Sequence, residues 1–496
     1  MSGSAYQSLE TKFKLLSDLA DAEEILNWDG AAMMPSGGAA SRGDQLAALR
    51  GVKHDILTTE AMADLFEEAL GENLSVEQTA NLGEMQRLGR HATALDADLV
   101  TAFSKACSTC ETVWRDARAK DDFHAVAPYL EEVLRLVRHV SVAKAERLGL
   151  SAYDALLDEY EPDGRSAVID HVFADLEEFL PGFVDDALRA QTRRPEPLKP
   201  EGPFAAETQR AVALTFMETL GFDFDHGRLD VSLHPFCGGT PDDVRITTRY
   251  DAADFLTGLF GVLHETGHAL YEQGLPSAWR GQPAGLARGM SLHESQSLLM
   301  EMQTCRSKAF IDHAAPILAA RYAGEGALWE ADNLYRIVTT VSPGFIRVDA
   351  DEATYPAHVI LRYRLEKALI EGTMEIADLP SAWNDGMQRL LGITPPSDRE
   401  GCLQDIHWYD GAWGYFPTYT LGAISAAQIF RAAVDADPDI PDGISKGDFK
   451  PLLSWLRTHI HAKGSLYSTE EILTQATGRG LDVSAFKDHL RSRYLD

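Results

Sequence analysis

The chain has 496 residues, 45% of them hydrophobic, and carries 45 Lys and Arg against 76 Asp and Glu, a formal net charge of −31. That charge excludes nucleic acid and anionic membranes as expected partners, because both demand clustered cations. No apolar run approaches the ~20 residues needed to span a bilayer, and five cysteines (Cys107, Cys110, Cys237, Cys305, Cys402) are few and odd in number, which suits a reducing compartment.

The opening stretch, MSGSAYQSLETKFKLLSDLADAEE, is polar and amphipathic without a signal-peptide core, so a cytoplasmic protein is expected. Apolar residues spaced three and four apart predict helices over Ser8 to Leu26, Leu130 to Leu148, Ala167 to Arg189, Thr208 to Leu220 and Ala357 to Ile370. Cys107 and Cys110 form a Cys-x-x-Cys within a helical stretch and have no second pair, so they read as ordinary thiols. The stretch Thr192 to Glu207 (TRRPEPLKPEGPFAAE) reads as a surface loop between helices. Leu229 to His234 and Asp243 to Thr247 alternate in polarity, with Cys237 to Asp242 between them. That pattern predicts a β-hairpin closed by a Gly/Pro-bearing loop.

Immediately downstream lies His264-Glu265-Thr266-Gly267-His268. On a helix, residues four apart share a face, so two imidazoles can grip one ion. Glu265 is turned about 100° away by the helical period, where it can reach a water at the metal and act as a base. Two histidines on zinc plus a glutamate base is the pattern of metal-assisted peptide hydrolysis. The alternative, a surface helix with two solvated histidines, fits poorly. The run Asp251 to Gln273 carries Phe255, Leu256, Leu259, Phe260, Leu263 and Leu270, a helix that buries a face. Asp251 with Asp254 resembles a capping box, and Gly274 and Pro276 end the helix.

Catalytic zinc takes three protein ligands. A second predicted helix, Met290 to Met302, offers His293 and Glu294, the latter 26 residues beyond His268. The residues alone do not choose between these two. An edge strand beside the metal would also suit an extended peptide, which pairs with a sheet edge through backbone hydrogen bonds.

A series of motifs, in order, resembles the thermostable-type (Taq-type) metallocarboxypeptidases: His234-Pro235-Phe236; Asp243-Val244-Arg245-Ile246-Thr247; His264 to His268; His293-Glu294-Ser295-Gln296; Ile346-Arg347 through Ala350-Asp351-Glu352 to Tyr355 and His358; and Gly401-Cys402-Leu403-Gln404-Asp405-Ile406-His407-Trp408. Trp28-Asp29, Met34-Pro35, Tyr153-Asp154-Ala155-Leu156 and Tyr160 also look like the family. The likeness runs from about residue 6 to the C-terminus and is densest between Phe222 and Gly422. Departures are small: Met300 and Met302 flank Glu301 where the family tends to have tryptophan and asparagine, and Pro356 follows Tyr355.

The resemblance implies a mainly α fold, a single large helical unit (residues 1–496) with a deep active-site groove and a small β-hairpin or sheet beside the metal helix. Its N-terminal helices would cover the groove, and its catalytic motifs would lie within 222–422. It also implies one divalent metal per chain, zinc with cobalt as the alternative, held by His264, His268 and Glu294, with Glu265 as the base. Arginine's planar fork suits a substrate's free carboxylate, and Arg347 and Arg245 are the candidates. Arg347 reads as opening a helix whose face carries Glu352, Tyr355, His358 and Arg362. His358, Arg362 and Glu366, four apart, could equally form a salt-bridge ladder, and Arg245 could simply pair with Asp243. The stretch His407 to Tyr419 resembles the tyrosine-bearing loop of related helical zinc peptidases. His407 and Tyr419 are the candidate oxyanion donors, and Tyr415 and His234 candidate substrate contacts.

The expected function is therefore release of single C-terminal residues from peptides by a metallocarboxypeptidase, with homodimers usual for such families. An oligopeptidase or dipeptidyl carboxypeptidase on the same scaffold is the alternative. A non-catalytic, metal-stabilised binding protein would have no use for Glu265.

Overall fold

The computed structural model describes residues 3–495. The protein is mainly helical, with one three-stranded sheet. The predicted helices are all present and mostly longer than their apolar stripes: Ala5–Ala32, Phe123–Leu148, Ser166–Gln191, Ala206–Leu220 and Tyr355–Glu371. The stretch between Gln191 and Ala206 is the expected connecting loop. Cys107 and Cys110 are buried free thiols in the helix Ala97–Lys120.

Two apolar cores organise these helices. One gathers Ala97–Lys120, Phe123–Leu148, Ser166–Gln191, Tyr355–Glu371 and Leu379–Leu391. The other gathers Ala206–Leu220, the sheet, Phe255–Glu272, Met290–Leu298 and Lys308–Arg321. The helix Pro417–Ala436 runs between them. It gives Leu421, Ile424 and Ala427 to the first core and Ala426, Ile429 and Ala433 to the second, so it is apolar on opposite faces, and most of it is buried as far as Ile429. A smaller cluster joins Tyr6, Leu9 and Phe13 to Met62, Leu82 and Met85 among the N-terminal helices.

The sheet differs from the predicted hairpin. Strand β1 (Gly227–Val231) pairs parallel with β3 (Asp243–Thr248), and β2 (Phe236–Thr240) pairs antiparallel with β3. The segment read as a loop is thus itself a strand, and the tight connection is Pro241-Asp242. The glycines misled the reading: Gly239 has φ 87°, and a Cβ there would lie 2.2 Å from the Asp243 carbonyl oxygen. It permits a close strand approach rather than a loop. The helix Ala5–Ala32 packs on β2, and its Trp28 ring lies under the guanidinium of Arg245, 4.2 Å from the ring centre.

Three helix boundaries also move. The motif helix begins at Phe255 with Asp254 as its cap, accepting from the Leu256 and Thr257 amides, while Asp251 only turns the preceding loop through the Ala253 amide. The helix from Met290 ends at Leu298 and continues as a π-helical turn, Leu299–Cys305. Arg347 sits in a short 3-10 turn, Arg347–Asp349, and does not open the next helix, which starts at Tyr355 with Pro356 in its first turn. Proline's missing N–H and fixed φ suit a helix start.

Candidate metal centre

The helices Phe255–Glu272 and Met290–Leu298 pack close enough to converge on one point because glycine stands at their contacts. A Cβ on Gly267 would lie 2.4 Å from the Gln296 carbonyl oxygen. One on Gly422, from the helix Pro417–Ala436, would lie 2.8 Å from the Glu294 side chain. The packing brings His264, His268 and Glu294 together, one ligand-type atom from each lying within 4.8 Å of the others. Among the described residues this is the one such cluster.

Each histidine is oriented from its far nitrogen. His264 Nδ1 lies 3.0 Å from Glu301 Oε2, and His268 Nδ1 lies 3.1 Å from the His293 carbonyl oxygen. Both partners accept, which assigns a proton to each Nδ1 and aims each Nε2 inward. Glu294 Oε2 stands 3.8 Å from His264 Nε2 and 3.4 Å from His268 Nε2. Ligands on a tetrahedral zinc with bonds of about 2.0–2.1 Å stand about 3.4 Å apart, so the donor set fits a divalent ion. His293 does not join it. Its Nε2 meets Glu272 at 2.8 Å, and its Nδ1 lies 2.7 Å from His268 Nδ1, on the side away from Glu294.

The electrostatics of the site fit a cation. Burial works against charge on His264, yet Glu294 and Glu301 outweigh it and raise its pKa to about 10. Burial beside His293 pushes His268 down to about 4. Burial also lifts the Glu265 carboxyl to about 7, opposed by His264 and reinforced by Glu294. Glu265 is 8% exposed and forms no hydrogen bond or ion pair with the described residues. Of the three carboxylates gathered here, Arg306 pairs with Glu301 alone, and the buried Glu265 and Glu294 call for further positive charge.

A second layer surrounds this centre. Arg347 is buried and gives Nη2 to Asp405 Oδ1 at 2.7 Å and Nη1 to the Tyr355 hydroxyl at 3.1 Å. Arg362 Nε reaches the other oxygen of Asp405 at 2.6 Å. The imagined ladder along this helix is absent: Arg362 Nη1 donates to the His358 backbone carbonyl, and Glu366 accepts from Tyr153, Trp408 and the Gly414 amide. Arg245 is paired with Asp243, Nη2 to Oδ2 at 2.6 Å. His407 Nε2 lies 3.2 Å from the Tyr419 hydroxyl. Burial lowers His407 to about 4 and raises Tyr419 to about 12, so both are neutral at pH 7. Burial and the Glu294 carboxylate also raise Tyr355 and Tyr415. The Tyr415 ring meets Tyr160 edge-on, 5.0 Å between centres. His234 is exposed, and its carbonyl accepts from Ser232 Oγ at 2.6 Å.

With this geometry established, known proteins offer a comparison. The family model described as "Carboxypeptidase Taq (M32) metallopeptidase" matches residues 8–494. The chain belongs to this family. It is 36% identical to "Thermostable carboxypeptidase 1" of Thermus thermophilus, covering 99% of this chain and 98% of the relative. Among solved structures, Trypanosoma cruzi metallocarboxypeptidase 1 superposes with a TM-score of 0.97 at 39% identity, with 99% of each chain covered. A Pyrococcus furiosus carboxypeptidase does so with a TM-score of 0.94 at 33% identity, with 100% of each covered. The chain is therefore a metallocarboxypeptidase, a peptide hydrolase that works with a divalent metal.

The roles of several residues around the site were not legible in the sequence. Glu301 was noted only for its neighbours; its spacing of seven from Glu294, nearly two helical turns, was the available signal. Asp405 and Glu366 hold the Arg347 and Tyr415 segments from 58 and 48 residues away, and no local pattern announces such partners.

Proposed function

We propose that this family member removes single residues from the C-termini of peptides, using His264, His268 and Glu294 to hold one divalent ion per chain, zinc with cobalt as the alternative. When bound, the ion would supply a Lewis acid that polarises the scissile carbonyl and acidifies water. The observation that carries the reading is the convergence of two inward Nε2 atoms and a carboxylate, with Glu265 on the same helix as the histidines and without a side-chain partner among the described residues.

Glu265 is the general base in this reading. It takes the proton of the attacking water and passes it to the leaving amine. His407 and Tyr419 donate to the developing oxyanion as neutral groups, and Tyr415 with His234 lines the peptide's path. The outer edge of β2 pairs with an extended substrate, on the side where the N-terminal helix Ala5–Ala32 covers the sheet.

The substrate's carboxylate is read by Arg347, with Arg245 as the alternative. Arg347 and Arg362 share one carboxylate, Asp405, so this cluster carries a net positive charge toward the tyrosines. We also assign the chain one peptidase unit over its whole length, a cytoplasmic location and a homodimeric state. No described helix is long and apolar enough to cross a membrane.

The deciding experiment is incubation of a defined peptide with metal-loaded protein, followed by mass spectrometry. Successive one-residue losses from the C-terminus are expected. Two-residue steps would indicate a dipeptidyl carboxypeptidase, and internal cuts an oligopeptidase.

A further inference from the structure

His264 and His268 stand one turn apart on the same helix, yet their far nitrogens meet unlike partners. Behind His268 are the backbone carbonyl and Nδ1 of His293; behind His264 is the Glu301 carboxylate. Glu301 is 8% exposed, and its second oxygen accepts from Arg306 Nη2 at 2.8 Å and Nε at 3.2 Å. Arg306 is itself held twice more. Its Nη1 donates to the Val338 carbonyl at 3.1 Å, and its guanidinium lies 4.2 Å from the ring centre of Phe260, one turn before His264 on the same helix.

The path to this arrangement is the π-helical turn Leu299–Cys305. Glu294 and Glu301 flank one imidazole on opposite nitrogens, 3.8 Å from Nε2 and 3.0 Å from Nδ1. Glu301 therefore cannot share the ligand position of Glu294. π-helical turns of this kind are rare and concentrate at functional sites.

Building on the metallopeptidase reading, we propose that Arg306 and Glu301 form a positioning relay for His264. The carboxylate fixes the Nδ1–H tautomer and ring orientation and makes His264 a stronger donor than His268, while Arg306 holds Glu301 in place. Carboxylates behind metal-ligating histidines do this generally, and their loss weakens metal binding about 10- to 100-fold. Arg306 contributes through two bonds to Glu301, so it is a second handle on the same effect.

The test uses the full chain and reads metal binding rather than turnover. Glu301→Gln keeps the side chain's size. Zinc affinity by chelator competition should fall 10- to 100-fold, the visible spectrum of the cobalt-loaded protein should change, and the urea midpoint of the metal-free protein should stay at the parent's value. Arg306 lines an open cavity of about 350 Å³. Arg306→Ala should therefore weaken zinc similarly and regain affinity in millimolar guanidinium chloride, but not in potassium chloride of equal ionic strength. An unchanged affinity and cobalt spectrum in Glu301→Gln overturns the relay. So does a loss of affinity matched by an equal loss of metal-free stability, because that marks a structural ion pair. A parent protein that binds no metal overturns the metal reading itself, a different failure.

Discussion

Reading of a free carboxylate is what separates a carboxypeptidase from an endopeptidase, and Arg347→Met tests it most directly. The variant should fold: Asp405 keeps Arg362 Nε at 2.6 Å, so no buried carboxylate is orphaned. In the parent, Nη2 and Nε of Arg347 are committed to Asp405, and only Nη1, now on the Tyr355 hydroxyl, can turn to a substrate. One charge-assisted hydrogen bond of that kind is worth about 1.5–3 kcal/mol, roughly a ten- to hundredfold gain in kcat/KM. The assay compares a peptide acid with its C-terminal amide. The parent should prefer the acid by that factor, and Arg347→Met should lose most of the preference while still binding metal. Arg245→Met is the control; its partner Asp243 is 44% exposed and is simply resolvated when the arginine goes. If the parent cleaves acid and amide alike, carboxylate reading is wrong; if only Arg245→Met erases the preference, the anchor is Arg245.

Glu265→Gln should keep its metal and lose about 10²- to 10⁴-fold in kcat; an active variant at neutral pH removes Glu265 from the chemistry. Glu294→Ala should strip the metal, whereas His293→Ala should retain most of it, since the backbone carbonyl that orients His268 survives; elemental analysis of both variants checks this, and full occupancy in Glu294→Ala refutes the third ligand. Glu352 gives a pH-dependent prediction. Burial would raise its carboxyl, but Arg493, His489 and Tyr494 outweigh that and hold it at about 2, below its ordinary 4.5. A depressed carboxylate stabilises the fold above its unfolded pKa and loses that contribution as pH falls from about 5 toward 2. The stake is on the order of 3 kcal/mol. Urea midpoints should therefore fall below pH 5 in the parent and vary less with pH in Glu352→Gln, which starts lower at pH 7; parallel curves would refute the assignment.

Local spacing is why the centre of the site was legible in the sequence. His264 and His268 declare themselves because helical geometry converts a separation of four into a shared face, and the apolar residues around them place that helix in a core. Glu294 needed the family likeness, because His293 is its neighbour and only tertiary packing turns one inward and the other toward Glu272. What stayed hidden depended on long-range partners or on backbone irregularity. Gly238 and Gly239 looked like a loop, but lie in a strand whose pairing is settled by β3. The π-helical turn that delivers Glu301 has no sequence signature, and Arg347 looked like a helix start although the proline nine residues later marked the true one.

The segment Gly401 to Trp408 shows why these partners matter to each other. Gln404 accepts from the Arg347 amide at 2.8 Å and donates to the Phe345 carbonyl at 3.0 Å, fixing the backbone that carries Arg347. The next residue, Asp405, takes the Arg347 and Arg362 side chains. Two further on, His407 meets Tyr419, and Trp408 Nε1 donates to Glu366, which also accepts from the Gly414 amide beside Tyr415. One short stretch thus sets both the candidate carboxylate anchor and the candidate oxyanion donors. Residues sharing such a network respond to substitution non-additively. Removing the Asp405 charge would strand two buried guanidiniums and move both groups together, whereas removing Arg347 alone leaves the remainder paired. That asymmetry makes the arginine, rather than its partner, the informative residue to change.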